Sequence, residues 1–167
     1  MTSLAPKISP FLWFDDRAEE AANFYVSVFP DSRILAVTRY GDTGTGTPGT
    51  VMTVSFELCG QRFMALNGGP HFTFSEAVSF LVDCGDQAEV DGYWEKLTRG
   101  GEPGACGWLK DRFGVSWQIV PRVLLEMVRD ENGARADAVV RAMLQMKKLD
   151  IAALEAAHRG AASSAPH

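Results

Sequence analysis

The chain has 167 residues, 46% hydrophobic and 22% charged, with a net charge of −5, enough for one ordinary domain or two small modules sharing a core without disulfide staples. No apolar run approaches the roughly 20 residues needed to cross a bilayer, and no Lys/Arg cluster offers a footprint for phosphate backbones, so the composition argues against membrane and nucleic acid as partners. Met1 to Ser9 has one Lys and no apolar stretch of a signal peptide, and Cys59, Cys84 and Cys106 make neither a C-x-x-C pair nor an even framework, so the expectation is a cytoplasmic protein with free thiols.

Ile8 to Phe14 is a short apolar, aromatic run that reads as a strand. Asp16 and Glu19 then resemble a capping box ahead of a helix whose apolar positions Ala21, Phe24, Tyr25 and Val28 keep i, i+3, i+4, i+7 spacing. Pro30-Asp31-Ser32 ends that helix. Ser32 to Tyr40 reads as a strand, Gly41 to Gly49 as a hairpin loop, and Thr50 to Leu58 as a strand turning at Cys59-Gly60 into Gln61 to Asn67. A glycine stretch between two strands does not open a helix, so it is not a phosphate cradle.

The same order returns after Gly68-Gly69-Pro70. Ala77 to Val82 reads as a strand, and Asp86 with Glu89 as a second cap. Val90, Tyr93, Trp94 and Leu97 repeat the helical spacing until Gly100-Gly101 stops it. Cys106 to Lys110 and Val115 to Val120 read as strands around the turn Asp111 to Gly114. Adding 69 to residues 21, 24, 25 and 28 gives 90, 93, 94 and 97, and adding 54 to Gly60, Phe63 and Ala65 gives Gly114, Trp117 and Ile119. The halves read as a duplication.

Beyond Pro121 the composition turns helical over Val123 to Val128, Ala134 to Met146 and Ile151 to Ala157, with breaks at Asp130 to Gly133 and Asp150. The predicted organisation is an N-terminal tail (1–7), a first βαβββ module (8–69), a second (70–121), a helical extension (122–158) and a flexible tail (159–167). The apolar stripes of the extension need a cover. They either fold back over their own module or pack against a second subunit, and a homodimer is the expectation.

Phe24-Tyr25, Gly107 to Asp111, Phe113 to Pro121 and Met143 to Ile151 together resemble the PhnB-like proteins of the vicinal oxygen chelate superfamily, beside glyoxalase I, bleomycin-resistance proteins and extradiol dioxygenases. The resemblance covers residues 8 to about 158 and implies an α+β fold: two βαβββ modules whose curved sheets form a cleft, followed by the helical extension. Relatives are often labelled 3-demethylubiquinone-9 3-methyltransferase-like. A Rossmann-type methyltransferase places a glycine-rich turn after its first strand, whereas Asp15-Asp16-Arg17 stands there, so the residues do not support the label.

Metal-using members take ligands from the first and last strands of each module, and the resemblance places those positions at Pro10, Met64, Ser79 and Gln118. These supply neither imidazole nor carboxylate, so no metal and no cofactor is expected. Strand alternation from those positions puts Leu12 and Phe14 beside Pro10, Leu81 beside Ser79, and Ser116 and Val120 beside Gln118. Trp108 and Lys110 share a face, either as an aromatic and cation for a planar or anionic ligand or as a core Trp beside an exposed Lys. His158 and His167 fall in the tail, which leaves His71, among Pro70, Phe72 and Phe74, as the histidine placed to reach a ligand. Cys106 reads as a structural thiol, and Asp83 and Asp111 as turn or cap acceptors.

The candidate site is therefore Leu12, Phe14, Met64, His71, Ser79, Trp108, Lys110 and Gln118. The expected function is binding of a small, partly apolar molecule in a metal-free cleft, with a metal-independent lyase, isomerase or transferase as the alternative.

Overall fold

The computed structural model describes residues 6–162. His167 and residues 163–167 of the expected tail lie outside them. Two compact units divide after Phe74.

The first unit holds β1 (Phe11–Phe14), α1 (Ala18–Val28), β2 (Arg33–Arg39), β3 (Val51–Leu58) and β4 (Gln61–Asn67). Its sheet order is β1-β4-β3-β2, with β1 parallel to β4 and the other pairs antiparallel. Ala18, Ala21, Ala22, Tyr25 and Val28 form the buried stripe of α1. Small residues near its start let the helix lie close to the sheet, and Tyr25 stacks on Phe56, which stacks on Phe63 at 5.4 Å. Burying each of these rings removes enough apolar surface from water to contribute about 1.5–3 kcal/mol.

The N-terminus of α1 departs from the capping box expected at Asp16. Arg17 occupies the cap position without a side-chain cap bond, and the Ala18 N–H donates to Asn67 Oδ1 at 2.7 Å. The cap comes from the end of β4, because β1 and β4 finish side by side with Phe14 opposite Asn67.

The second unit repeats the order with β5 (Phe80–Cys84), α2 (Gln87–Thr98), β6 (Glu102–Pro103), β7 (Trp108–Lys110) and β8 (Ser116–Pro121). The sheet runs β5-β8-β7-β6, the same order as in the first. The inferred duplication is thus present in topology as well as in helix spacing. Strand β6, only two residues long and containing Pro103, left no sequence signal. β5 begins three residues later than the expected Ala77. The cap at Asp86 forms as expected: its Oδ1 accepts from Glu89 N, and Glu89 Oε2 accepts from Gly85 N.

The extension forms α3 (Arg122–Met127), α4 (Gly133–Met143) and α5 (Ile151–Ala162), the last passing beyond the expected boundary at residue 158. Its apolar residues fold back on the second unit. Leu124, Met127, Val139, Leu149 and Leu154 bury themselves with Val120 of β8. The segment between α4 and α5 straps down the rest: Cys106 N and Gly107 N donate to Met146 O and Lys147 O, Lys148 pairs with Asp91, and the Gln87 amide brackets Leu149 O and Ile151 N. Among the described residues no helix is long and apolar enough to cross a membrane.

Candidate functional site

Where β1 and β4 end together, the chain opens a cavity of ≈ 730 Å³. From β1 it continues through Asp15, Asp16 and Arg17 into α1. From β4 it continues through Gly68 and Gly69 to His71, tied down by Gly68 N to Phe14 O (2.9 Å) and Gly69 N to Asp15 O (3.1 Å). The long β2–β3 hairpin supplies the opposite wall with Tyr40, Thr45, Gly46, Thr47 and Thr50.

Two aromatic rings are fixed on glycines. A Cβ on Gly68 would overlap the Trp13 indole, and one on Gly46 would overlap the Tyr40 ring, so each ring takes the space a side chain would fill. Their polar ends anchor them: Trp13 Nε1–H donates to Gly69 O at 2.9 Å and Tyr40 O–H to Asn67 O at 2.5 Å. Asn67, already capping α1, donates from Nδ2 to Val51 O. His71 stands edge-on to Trp13, ring centroids 6.5 Å apart. Asp15, Asp16 and Glu19 complete the lining. Such a chamber can hold a ring or alkyl group and present carboxylates to its polar end.

Within the first unit, the structure separates residues expected to share one site. His71 belongs to the cavity. Met64 lies in a shallower groove with Leu35, Thr38, Thr53, Ser55 and Arg62 on the first sheet. Leu12 and Phe14 are core residues, 7% and 5% exposed. Register places Leu12 beside Ala65 and Phe14 beside Asn67, on the face that packs α1, and leaves Phe11 and Trp13 on the Met64 face. The parity assumed for β1 is therefore reversed, since one residue of register exchanges the two faces of a strand.

In the second unit the strand register puts several of the expected residues on one face. Trp108 pairs with Gln118 and Lys110 with Ser116 on one face, and Gln118 Nε2 donates to Ser79 Oγ at 2.9 Å. Lys110, considered as a cation for an anionic ligand, instead meets Glu76 at 2.5 Å; that bond raises the lysine and lowers the glutamic acid from their usual pKa values. Val120, expected on an open face, is buried under the extension. Ser116 is buried too, and its hydroxyl has no hydrogen-bond partner among the described residues.

The other candidates resolve into structural roles. Asp111 accepts from Phe113 N, Val115 N and Trp117 Nε1, the turn role expected of it. Asp83 pairs with Arg122 instead of capping a turn. Burial pushes the Cys84 thiol up to about 12, which removes it as a nucleophile. Cys106 lies just before β7, bonded to the strap, with φ 57° and outside the cavity. Sequence reasoning missed Trp13, Tyr40, Asp15 and Glu19. Alternating glycines in the hairpin and after β4 were the available signal, because close approach of a ring needs them.

The residues do not fit the metal that the superfamily implies. Pairing sets Phe11 against Met64 and Leu81 against Gln118, which offer no imidazole or carboxylate. Among the described residues no three His, Cys, Asp or Glu side chains are grouped to hold a metal ion.

Several solved structures are similar to this chain. A PhnB protein from Bacillus cereus, described in methyltransferase terms, is 39% identical over 70% of this chain and 99% of its own, with a TM-score of 0.64. A Pseudomonas aeruginosa protein is 21% identical over 70% and 97%, TM-score 0.59. A glyoxylase/bleomycin resistance protein/dioxygenase domain from Frankia is 16% identical over 69% and 95%, TM-score 0.44. No curated protein matches the chain. The family profile described as 3-demethylubiquinone-9 3-methyltransferase matches residues 6–120, both βαβββ modules to within one residue of the end of β8, and on these grounds, with the likeness to the PhnB protein, the chain belongs to that family.

Proposed function

We propose that the protein binds a small, partly apolar molecule in the cavity of its first module, without a metal. The observation that carries this reading is the pair of rings, Trp13 and Tyr40, each seated on a glycine and anchored by its polar end around a ≈ 730 Å³ space. Fixed aromatic walls lower the ordering cost of binding. A metal-independent enzyme is the second reading, and His71 favours it, because an imidazole at the cavity beside Trp13 can exchange a proton with a bound ligand.

The family description suggests S-adenosylmethionine, and the cavity does not fit it well. The cofactor's carboxylate needs donors, while Trp13 and Tyr40 spend theirs on backbone carbonyls and the Asn67 amide keeps one of its two N–H groups for Val51 O. A melting-temperature screen of small aromatic compounds tests the reading, since a ligand at 100 times its Kd adds about 2.7 kcal/mol. Stabilising compounds should lose their effect in Trp13→Ala. Shifts that survive both Trp13→Ala and Tyr40→Ala would sink the proposal, and a saturable shift with S-adenosylmethionine would restore the methyltransferase reading.

The same reading keeps the protein cytoplasmic and a homodimer. Because the extension covers its own module, the dimer contact falls to other apolar residues such as Phe11 and Leu81, 56% and 50% exposed. A monomeric mass in light scattering of the full chain would refute it.

A further inference from the structure

We propose that the ligand of the first-module cavity is a protonated amine, its ammonium received by Asp15, Asp16 and Glu19 and its apolar body lodged beside Trp13 and Tyr40. This rests on the cavity being the binding site and adds the chemical class of what it binds. The argument is an inventory of donors and acceptors. The two ring donors of the wall are already spent, Trp13 Nε1–H on Gly69 O and Tyr40 O–H on Asn67 O, and one of the two Asn67 Nδ2 hydrogens goes to Val51 O. Thr50 Oγ1 donates to Thr47 O. What remains is the second Asn67 N–H, two threonine hydroxyls, the His71 ring, and three carboxylates, which as anions only accept.

The carboxylates are also uncompensated. No Lys or Arg is among the described residues lining the cavity. The neighbouring cation, Arg17, gives its guanidinium to Glu20 at 2.8 and 2.7 Å, and Asp16 acts on it only as a more distant charge. The N-terminus of α1 contributes about half a positive charge, too little to balance three carboxylates, and its first free N–H is taken by Asn67 Oδ1. An anionic ligand meets like charges here, and a neutral one leaves the carboxylates unused. An ammonium satisfies them and gains from the adjoining ring systems.

The test uses three probes of one shape: benzylamine, benzyl alcohol and benzoate, titrated into the full-length protein at neutral pH and followed by amide chemical shifts. Benzylamine should bind about fivefold more tightly than benzyl alcohol, with benzoate weakest, and 0.5 M salt should shrink the amine's advantage. Asp15→Asn with Glu19→Gln keeps the shape of the wall and should bring benzylamine down to the affinity of benzyl alcohol in the same variant. Benzyl alcohol or benzoate binding the wild-type cavity as tightly as benzylamine would overturn the amine assignment and leave the cavity reading standing. If none of the three moves the amide signals of Trp13, Tyr40 or His71, both fall together. The wild-type series decides these outcomes even if the double variant fails to fold.

Discussion

The two modules share one strand order, β1-β4-β3-β2 and β5-β8-β7-β6, yet they secure equivalent points by different means. In the first, the helix cap arrives from Asn67, 49 residues beyond the N–H it satisfies. In the second, Asp86 caps its own helix three residues on. The first has a long hairpin and a cavity at the strand ends; the second has a two-residue edge strand and a strap of helices fastened to α2 and β7. A duplicated fold therefore fixes where elements go, while each copy remains free to decide which ends stay open. The copy whose strand ends stay open carries the candidate site, and the copy that is strapped carries the additional core.

The position related by the 54-residue offset shows the divergence most sharply. Glu57 in the first module makes an ion pair with Arg33 at 3.3 Å, the arginine side chain 69% exposed. Its counterpart Asp111 is 3% exposed and receives Phe113 N, Val115 N and Trp117 Nε1. Asp111→Ala leaves buried donors without an acceptor and should cost about 3–5 kcal/mol in chemical denaturation. Glu57→Ala should cost less than about 1 kcal/mol, as expected for a solvent-screened pair. Equal losses would mean that the two positions do equivalent work and would break the comparison.

The caps provide a smaller contrast. Asn67→Ala removes the acceptor for Ala18 N and the donor to Val51 O together, so its loss should reach about 2 kcal/mol, the upper end for a cap. Asp86→Ala removes a local cap and should cost about 1 kcal/mol. The cavity gives the first variant a second readout, because the Asn67 side chain lines it and holds the carbonyl of Val51, another lining residue: ligand-induced melting shifts should weaken in Asn67→Ala and persist in Asp86→Ala. A larger loss from Asp86→Ala would place the critical cap in the other module.

The same contrast explains what the sequence made legible. Helix stripes such as Val90 to Leu97, the Asp86–Glu89 box and the succession of strands and helices along the chain follow from spacings within a dozen residues, and they are where pattern reading succeeded. The faces of β1 did not, because Phe11-Leu12-Trp13-Phe14 is apolar throughout and offers no alternation to choose between faces. The choice is made by the pairing of Leu12 with Ala65, a contact set by the tertiary fold. The α1 cap and the glycine seats of Trp13 and Tyr40 are of the same kind: each joins residues whose proximity depends on β1 and β4 ending together. Of the candidate site, His71 was legible as a lone histidine among aromatics. Its surroundings were not, since they assemble only when hairpin and strand ends meet.

The smallest expected effect concerns the strap, which the first module lacks. Asp130, in the turn between α3 and α4, accepts from Asn132 N at 2.8 Å, meets His158 Nε2 of α5 at 2.6 Å and lies 3.7 Å from Arg135. The Asn132 N–H first, then His158 and Arg135, hold its carboxyl below the usual range. A carboxyl whose pKa is lower folded than unfolded stabilises the fold fully above its unfolded value, and that contribution fades as pH falls through the folded one. Wild-type melting temperature should accordingly fall more steeply than that of Asp130→Asn below about pH 4, and the two should run parallel above it. The loss should also be local, so amide exchange in α5 should accelerate on acidification before exchange in α1 does. Parallel acid profiles for the two proteins would show that Asp130 does not pin the strap, and earlier opening of α1 would show that the module with the open strand ends, rather than the strapped one, yields first to acid.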